Sequence, residues 1–404
     1  MNNNTLYITF DGLSDPLGQS QILPYLTGIA QNEFKITILS CEKSNRLKNQ
    51  KENLENLLKS YHIDWKYIIY DEEAGFLSRL GYIRKIASIA RLENSLKKFQ
   101  IVHCRSYLSA LIGMEMKQKH NCRFIFDMRG FWADERLDGG IWSKKNLHHL
   151  IFYTYFKRKE KQFLRSADAV VSLTQNALTY LSNSHPRSNI IEKTTVIPCC
   201  VNTKVFDPAN VDFLHINGVS SADHVLIYTG SIGTWYYTQE MIDCISVWKT
   251  LIPNIKLLIV THDTDKLNAI LERCTEEQRK IIVPASASFN KIPSYLNIAK
   301  AAIFFIKPAF SKIASSPTKM AECWAMNLPI ITNAGIGDND LYFRGNAGGL
   351  LIHDFTNDQY LQAGQTYLEL LERKQNYRLI AKQHFNLEKA IIQYTCIYRA
   401  VTEA

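Results

Sequence analysis

The sequence has few of the features that mark membrane, secreted or disordered proteins. No apolar run reaches the ~18 residues that a membrane-spanning helix needs, and the opening MNNN lacks the charged and apolar regions of a secretory signal. The nine cysteines form no C-x-x-C pair, which favours reduced thiols over a disulfide framework. A hydrophobic content of 46% with 21% charged residues argues against disorder. We therefore expect a cytoplasmic globular protein, and 404 residues suffice for two or three domains.

Excess positive charge is confined to the first half of the chain. Residues 1–200 hold 28 Lys and Arg against 19 Asp and Glu, whereas residues 201–404 hold 19 of each. Part of the excess lies in residues 142–165, WSKKNLHHLIFYTYFKRKEKQFLR, where seven Lys and Arg accompany one acid and several aromatics. A basic amphipathic helix of this kind is typical of contact with an anionic membrane, here the cytoplasmic face of an inner membrane. A solvated helix whose apolar stripe faces the core is the alternative.

Thirteen short β-rich runs, among them Lys280–Val283 and Ala301–Ile306, alternate with helix-length segments along the chain. Most runs are continuous rather than alternating, as strands buried on both faces are, so they predict parallel sheets in doubly wound α/β domains. Seven runs precede the connection at 198–208 and six follow it, which predicts two domains with a hinge. The tail predicts a packed helix with one apolar face. That face consists of Ile391, Tyr394, Ile397, Tyr398 and Val401.

Ligands of open parallel sheets bind beyond the carboxyl ends of the strands, which directs attention to the segments after the predicted strands. The first strand, predicted at Leu6–Phe10, leads into a polar loop with Gly12 and Gly18, and a helix is predicted from about Gln19. In the second half, a strand leads into GSIG at 230–233, whose glycines would let backbone N–H groups approach a phosphate. An ordinary two-glycine turn after a strand explains this second loop equally well.

The stretch SSPTKMAE carries a stronger signal. Ser316 and Thr318 flank a proline and predict a helix start that is capped by a hydroxyl. Lys319 and Glu322 are three apart and share one helical face. A hydroxyl, exposed N–H groups and a lysine suit a diphosphate, and a carboxylate one turn later suits the paired hydroxyls of a ribose. A capped helix with a surface ion pair is the alternative interpretation.

The loop DMRGFWADE places charge and an aromatic ring at the end of another predicted strand, where loops usually form a site. Asp127 and Glu135 are candidates for orienting an acceptor hydroxyl or for base catalysis. Residues that could line an acceptor site are His103, Arg105, Tyr107 and Trp132. For Trp132, stacking of a carbohydrate and burial of the indole are both open. For His103, a place in the cleft and a place in the core are both open.

In this order and spacing, the motifs resemble the family-4 retaining glycosyltransferases of the GT-B fold from end to end. The motifs are DGLSDPLGQSQILPYL, VIPCCVNTKVFDP, YTGSIG, SSPTKMAECWAMNLPII and NAGIGDND. The first and fourth are especially similar to transferases from bacterial surface-polysaccharide gene clusters. The resemblance implies two Rossmann-like doubly wound domains facing across a cleft. It implies an acceptor domain at 1–200, a nucleotide-sugar domain at 201–384, and a helix at 385–404 that crosses back to the first domain.

The resemblance also implies donor-binding residues. Glu322 matches the second glutamate of the family's Glu-x7-Glu motif, which binds the ribose. The N-terminal loop, the phosphate loop and the helix start contribute Gly12, Gly18, Gln19, Gly230, Ser231, Gly233, Ser316 and Thr318.

Three positions depart from the family pattern. The first glutamate of the motif falls at Ala314, and Arg129 replaces the family's histidine and so joins the candidate catalytic residues. The basic pair that follows the family's phosphate loop is missing, because residues 231–237 contain no Lys or Arg. The charge of the diphosphate must then be met by Lys307, Lys312, Lys319 or Arg129, of which Lys319 is the first candidate and Lys307 or Lys312 the second.

The activity implied by the resemblance is transfer of a sugar, with retention, from a UDP- or GDP-linked donor. The implied acceptor is a glycan or a polyprenyl-linked oligosaccharide in bacterial polysaccharide or lipopolysaccharide assembly. No cofactor or metal is implied, and we expect Asp338 in DND to cap a helix. An epimerase that acts on the nucleotide-sugar itself and a non-catalytic partner in a polysaccharide assembly machine remain alternatives. A nucleic-acid protein is disfavoured, since no recognition motif accompanies the basic half.

Overall fold

The structure is a computed structural model that describes residues 3–71, 76–186 and 189–403. Contacts divide the chain into two compact units. The first unit comprises Met1–Pro198 and Leu387–Ala404, and the second unit comprises Cys199–Asn386. None of the helices in the described part of the chain combines the length and the hydropathy needed to cross a bilayer.

The described part of the first unit contains a seven-stranded parallel sheet in the order β3-β2-β1-β4-β5-β6-β7. Its elements are β1 (Asn4–Ile8), α1 (Pro16–Gln21), α2 (Leu23–Ala30), β2 (Lys35–Glu42), α3 (Ser44–Ser60), β3 (Asp64–Ile69), α4 (Phe76–Lys97), β4 (Ile101–Arg105), α5 (Ser106–His120), β5 (Arg123–Asp127), α6 (Trp132–Asp138), α7 (Leu147–Ser166), β6 (Ala169–Ser172), α8 (Gln175–Ser184), α9 (Ile190–Lys193) and β7 (Thr194–Val196). Strands such as β2 and β5 are continuous apolar runs because helices cover both faces of the sheet.

The second unit contains a six-stranded parallel sheet, within the described residues, in the order β10-β9-β8-β11-β12-β13. Its elements are β8 (His224–Thr229), α10 (Thr238–Trp248), β9 (Ile255–Val260), α11 (Thr264–Leu271), α12 (Glu276–Ile281), β10 (Ile282–Ala285), α13 (Ile292–Leu296), β11 (Ala301–Ile303), α14 (Thr318–Ala325), β12 (Ile330–Asn333), α15 (Asn339–Tyr342), β13 (Gly349–Ile352), α16 (Asn357–Glu372) and α17 (Arg378–His384). Both sheets are doubly wound, so the fold class predicted from the sequence is confirmed.

The chain ends in α18 (Leu387–Glu403), which packs on α2 of the first unit. The two helices approach closely at Gly28, where an added Cβ would lie 2.4 Å from Ile391 Cδ1. Tyr394, Tyr398 and Val401 are buried on the inner face of α18. The predicted packing of the tail helix is therefore confirmed.

Several predicted boundaries are wrong, including that of the first strand, which is predicted at Leu6–Phe10 and observed at Asn4–Ile8. Three others have a local reason. The helix predicted from about Gln19 is broken at Ile22, because Pro24 in the first turn of α2 has no N–H to continue α1. The strand predicted at 280–283 begins at Ile282, because a capping box at Thr275 starts helix α12 and carries it to Ile281. The strand predicted at 301–306 ends at Ile303, because the next residues pair with a loop.

Candidate functional site

The candidate site in the second unit lies where its strand order reverses. Strands β8 and β11 are neighbours in the sheet, and β9 and β12 lie outside them. The segments after β8 and β11 therefore leave the sheet side by side, at the topological switch point where ligands of open α/β sheets bind. These segments are the glycine loop, defined here as residues 230–237, and the lysine segment, residues 304–319.

Backbone hydrogen bonds join the glycine loop to the lysine segment. Tyr237 N–H donates to the Phe305 carbonyl at 2.9 Å, and Lys307 N–H donates to the Trp235 carbonyl at 2.8 Å. Gly230 and Gly233 have φ angles of 135° and 109°, which side-chain-bearing residues rarely adopt. The loop conformation thus requires both glycines and fixes the direction of the aromatic side chains that follow.

Three aromatic side chains, of which Tyr236 comes from the glycine loop, surround the Lys319 ammonium group. Lys319 Nζ lies 3.6 Å from the centroid of the Tyr236 ring and 4.4 Å from that of Tyr228. The Phe304 ring is the third neighbour, at 5.5 Å, and the Tyr228 hydroxyl accepts a hydrogen bond from Nζ at 3.4 Å. The same ammonium group reaches the glycine loop, since a Cβ added to Gly230 would lie 2.8 Å from it.

Lys312 makes the equivalent contact with the next ring of the loop. The Nζ atom of Lys312, which like Lys319 belongs to the lysine segment, lies 3.6 Å from the centroid of the Trp235 ring. We call Lys312 and Lys319, with the rings of Tyr228, Trp235, Tyr236 and Phe304, the lysine–aromatic cluster. The structure thus brings together two of the three predicted diphosphate lysines. The third, Lys307, is held at the backbone by Trp235, and its side chain is half-buried.

Burial shifts the pKa of Lys319 and of Glu322, two of the titratable groups on α14. Burial lowers the pKa of Lys319 to about 7, because the ammonium ion is removed from water. Burial raises the pKa of Glu322 to about 7, and the attraction of Lys319 counteracts only part of that rise. The alternative of a surface ion pair is wrong, since Lys319 is buried and half-buried Glu322 lies more than 4.0 Å from its Nζ in the described structure.

The start of α14 differs from its sequence prediction. The residue at the N-cap is Pro317, and no side chain caps the helix. The Ser316 hydroxyl accepts a hydrogen bond from Cys199 N–H at 3.1 Å, and Thr318 is the first helical residue. The predicted hydroxyl cap is therefore wrong, while both residues still lie beside Lys319.

One amide of the predicted phosphate loop is already occupied. Ile232 N–H, between Ser231 and Gly233, donates to Asp263 Oδ2 at 2.8 Å. Burial would raise the pKa of Asp263, but this bond and Lys266 hold the pKa below its usual range. A carboxylate at the loop repels a diphosphate, which makes the lysines the main source of attraction.

The N-terminal loop of the first unit is organised around Glu42. This fully buried carboxylate accepts hydrogen bonds from Leu13 N–H at 2.7 Å, Ser14 N–H at 3.1 Å and the Ser14 hydroxyl at 2.6 Å. A Cβ on Gly12 would lie 2.8 Å from Glu42 Oε2. Gly12 is therefore required by internal packing, whereas the sequence suggested an approach to a ligand.

Gly18 and Gln19 serve the same loop. A Cβ on Gly18 would lie 2.1 Å from the Gly12 carbonyl oxygen, so the glycine allows α1 to pack on the loop. The Gln19 side chain donates to Gln50 Oε1 at 2.6 Å and to the Leu13 carbonyl at 3.3 Å. Their predicted donor contacts remain predictions, with an internal structural role now established beside them.

Asp127, the first candidate base, lies in a buried cluster under α18. Tyr394 donates its hydroxyl hydrogen to Asp127 Oδ2 at 3.1 Å, and Arg129 lies 3.8 Å from Oδ1. His103 Nε2 is 3.5 Å from Oδ2, and the other ring nitrogen is 2.8 Å from the Tyr398 hydroxyl. We call these five residues the Asp127 cluster. Asp127 is only 2% exposed, so its carboxylate contacts these neighbours, and its predicted role in catalysis stays a prediction.

The charges in the Asp127 cluster favour an ionised carboxylate and a neutral imidazole. Burial raises the pKa of Asp127, but Arg129, His103 and Arg105 outweigh it and hold the pKa below its usual range. Burial lowers the pKa of His103, although Asp127 opposes that shift. Of the two alternatives for His103, the structure supports core packing.

Two of the predicted acceptor-lining residues are internal. Tyr107 is fully buried and donates its hydroxyl hydrogen to buried Glu160. Trp132 is half-buried, stacks against Tyr107 at 5.8 Å, and carries the Arg136 guanidinium 3.8 Å above its ring. Of the two alternatives for Trp132, these contacts support burial of the indole. Half-buried Glu135 lies in the first turn of α6, and Arg105 pairs with Asp11 at 2.8 Å.

The predicted cap at DND is wrong. Asp338 stands at the N-cap position of the short helix α15 but makes no capping hydrogen bond. The amide of Phe343 instead bonds the Asn339 carbonyl, and the Asn339 side chain donates to the Asn333 carbonyl at 3.2 Å. The Asn339 side chain fixes this turn to the end of β12.

The outward face of α7 is apolar at its start and basic at its end. Leu147 and Ile151 are 68% and 56% exposed, and Leu150 and Tyr155 share their face. Farther along the same face the exposed residues are Arg158, Lys161 and Arg165. The acid of this segment, Glu160, points inward with Phe156 and Phe163. We call the exposed residues the α7 face.

Comparison with known proteins finds one family model that matches part of the first half of the chain, and solved structures that share the fold of the whole chain. Residues 25–205 match the family model Glycosyltransferase Family 4. HepE of Anabaena, solved with UDP and glucose, is 13% identical with a TM-score of 0.68, and the match covers 99% of each chain. Sucrose-phosphate synthase of Thermosynechococcus elongatus is 15% identical with a TM-score of 0.69, again over 99% of each chain.

A third similar structure is WaaG, described as a glycosyltransferase of lipopolysaccharide biosynthesis. It is 12% identical with a TM-score of 0.64, and the match covers 98% of this chain and 99% of WaaG. No curated protein sequence matches the chain. The partial family match and the shared fold agree with the predicted resemblance to glycosyltransferases of the GT-B type, whereas retention and a role in surface polysaccharides stay predictions.

Proposed function

We propose that this protein transfers a sugar from a nucleoside-diphosphate-sugar, with retention at the anomeric carbon, to a glycan or polyprenyl-linked acceptor. The observation that carries the proposal is the lysine–aromatic cluster, because it places two ammonium groups at the switch point of the second sheet. The structures solved with UDP and with UDP-glucose for HepE support a nucleotide-sugar as donor. At 13% identity, the similarity between HepE and this chain is one of fold.

Each donor group has a matching element in the second unit. Lys319 and Lys312 attract the diphosphate, and N–H groups at the start of α14 and in the glycine loop add dipoles of the same sign. Glu322 lies one turn along α14 and accepts hydrogen bonds from the ribose hydroxyls. We assign the charge of the diphosphate to these lysines, without a metal ion, and the nucleotide to UDP or GDP.

The reaction in this proposal needs no side-chain base. The bond between the anomeric carbon and the diphosphate oxygen breaks, and the acceptor oxygen bonds to the same face of that carbon. The acceptor proton passes to the leaving diphosphate. Negative charge therefore grows on the diphosphate in the transition state, where fixed ammonium and N–H groups stabilise it. Loss of one such group should lower turnover by about 10²-fold or more.

The first unit supplies the acceptor side in this proposal. The Asp127 cluster holds Arg129, whose φ angle of 56° marks a backbone that L side chains rarely adopt. We assign Arg129 and Glu135 to the orientation of the acceptor hydroxyl. Asp127 then acts through Arg129 as a positioning residue.

The α7 face is the proposed contact with the cytoplasmic surface of a membrane that carries the lipid-linked acceptor. Its apolar residues can enter the boundary of headgroups and acyl chains, and its basic residues attract anionic lipids. No acidic residue lies among the exposed residues of this face. Bacterial polysaccharide or lipopolysaccharide assembly is the setting that this arrangement favours.

A nucleotide panel tests the donor site. UDP, GDP and their common sugar conjugates are added to the wild type, Lys319→Met and Glu322→Ala, and the melting temperature of each is followed. One base should raise the wild-type transition by several degrees, since ligand at 100 times its Kd adds ~2.7 kcal/mol. Both variants should lose that gain. Lys249→Met, at the far end of α10, is the control and should keep it.

The same sample separates the alternatives. The donor that binds is incubated without acceptor and followed by proton NMR. Appearance of an isomerised nucleotide-sugar would establish the epimerase, and a glycosyltransferase should leave the donor intact apart from slow hydrolysis. Absence of any nucleotide-induced shift would reject the donor site and favour the non-catalytic partner.

A further inference from the structure

The glycine loop of this protein has aromatic rings where it lacks basic residues. Residues 231–237 contain no Lys or Arg but include Trp235, Tyr236 and Tyr237 in succession. Two of these rings each carry an ammonium group from the lysine segment at 3.6 Å, Lys312 on Trp235 and Lys319 on Tyr236. The positive charge therefore reaches the loop from outside it.

The backbone that carries the rings is fixed independently of the lysine side chains. The backbone of residues 235–237 pairs with that of 305–307, and an isolated bridge joins Tyr236 to Ile306. The Tyr236 ring also packs edge-on against Tyr228, with centroids 5.7 Å apart. Contact with such a ring restricts the rotamers of a flexible lysine side chain.

A ring holds an ammonium group without cancelling its charge. A carboxylate partner would neutralise the lysine and repel a diphosphate, whereas the face of an aromatic ring attracts a cation through its quadrupole and carries no net charge. No carboxylate lies within 4.0 Å of Lys319 Nζ among the residues that the structure describes. The charge of Lys319 is thus available to an incoming anion.

We propose that Trp235 and Tyr236 are positioning residues for the donor diphosphate, because their rings hold the Lys312 and Lys319 ammonium groups where its oxygens bind. This inference rests on the proposed function, since it requires a ligand with a diphosphate. It names residues that the sequence did not single out. The two rings position two lysines of the lysine segment at this loop, which itself has no basic side chain.

The test measures affinity for inorganic pyrophosphate and for the nucleoside diphosphate that stabilises the wild type. Tyr236→Leu and Trp235→Leu should each weaken both affinities by about 3- to 30-fold, the range expected for one desolvated cation–π contact. Tyr236→Phe and Trp235→Phe keep a ring and should remain within about 3-fold of the wild type. Rescue by Phe would show that the effect depends on an aromatic ring at each position.

Tyr237→Leu is the matched control. Tyr237 is the next residue of the same loop, but its ring packs on Phe355 at 5.4 Å and not on a lysine. Its affinity for both probes should equal that of the wild type. All variants are compared at temperatures well below their own melting transitions, so that partial unfolding does not enter the comparison.

Failure of the inference is distinguishable from failure of the proposed function. If Lys319→Met abolishes binding but Tyr236→Leu and Trp235→Leu bind like the wild type, the rings do not position the lysines. The same conclusion follows if Tyr237→Leu weakens binding as much as they do. If the wild type binds neither pyrophosphate nor any nucleoside diphosphate, both the inference and the proposed donor site are wrong.

Discussion

The hydroxyl of Tyr394 on the C-terminal helix donates a hydrogen bond to Asp127 at the end of β5, although 267 residues separate them. This bond connects the last element of the chain to the centre of the first sheet. It places α18 over the carboxylate of the DMRG motif, which is buried, while Arg129, His103 and Arg105 hold the pKa of that carboxylate below its usual range. The tail helix thereby also supports Arg129, whose guanidinium group lies 3.8 Å from the same carboxylate.

We predict that Tyr394→Phe lowers the free energy of unfolding by about 1–3 kcal/mol, because it leaves a buried carboxylate oxygen without its donor. The measurement is chemical denaturation followed by a probe in the first unit. Tyr377→Phe is the control, since the buried Tyr377 hydroxyl has no partner among the described residues. A loss in Tyr377→Phe as large as that in Tyr394→Phe would contradict the account.

Glu42→Gln should release the N-terminal loop. The amide has one acceptor oxygen where the carboxylate serves Leu13, Ser14 and Ser40, and its NH₂ group would face donors. We expect a loss of about 2–3 kcal/mol in unfolding free energy, with faster hydrogen exchange at the Leu13 and Ser14 amides. Glu55→Gln, an exposed glutamate, should change neither quantity. Unchanged exchange in Glu42→Gln would show that the loop is held by other contacts.

Nucleotide affinity should fall as the pH rises through about 7. Burial lowers the pKa of Lys319 to about 7, so the free protein loses this charge above that pH. A diphosphate favours the charged form, and binding at pH 8 should therefore take up a proton. Calorimetry in two buffers of different ionisation enthalpy measures that uptake. Lys319→Met should abolish it, and proton uptake that persists in this variant would assign it to another group.

The α7 face should bind anionic vesicles. Leu147→Ser combined with Ile151→Ser should lower binding to phosphatidylethanolamine vesicles that contain phosphatidylglycerol by about 10-fold, since the change removes two inserted apolar side chains. Leu92→Ser with Leu96→Ser is the control, because these leucines form an equally exposed pair on α4. Equal effects of the two double variants, or binding insensitive to salt, would contradict the assignment.

Much of the fold could be predicted from the sequence because the strands are continuous apolar runs between polar loops. All thirteen runs form strands in the described structure, in two doubly wound sheets. Two of the wrong boundaries could have been predicted from the sequence. The capping box at Thr275 marks the start of α12, and Pro24 marks the break between α1 and α2.

The site was less predictable because its key contacts join distant segments. The SSPTK motif indicated Lys319, but the rings that surround it come from residues about 80 to 90 positions earlier and from the end of β11. The run of three aromatics in the glycine loop was the available signal. The burial of Tyr107 and Asp127 depends on α7 and α18 packing over them, which no local pattern contains.

The most direct test of the central claim is a crystal structure of the protein with the nucleoside diphosphate that raises its melting temperature. The account predicts diphosphate oxygens within hydrogen-bond distance of Lys319 Nζ, beside the Tyr236 ring, and ribose hydroxyls on the Glu322 carboxylate. A nucleotide bound away from the switch point of the second sheet, or with its diphosphate remote from Lys319, would contradict it.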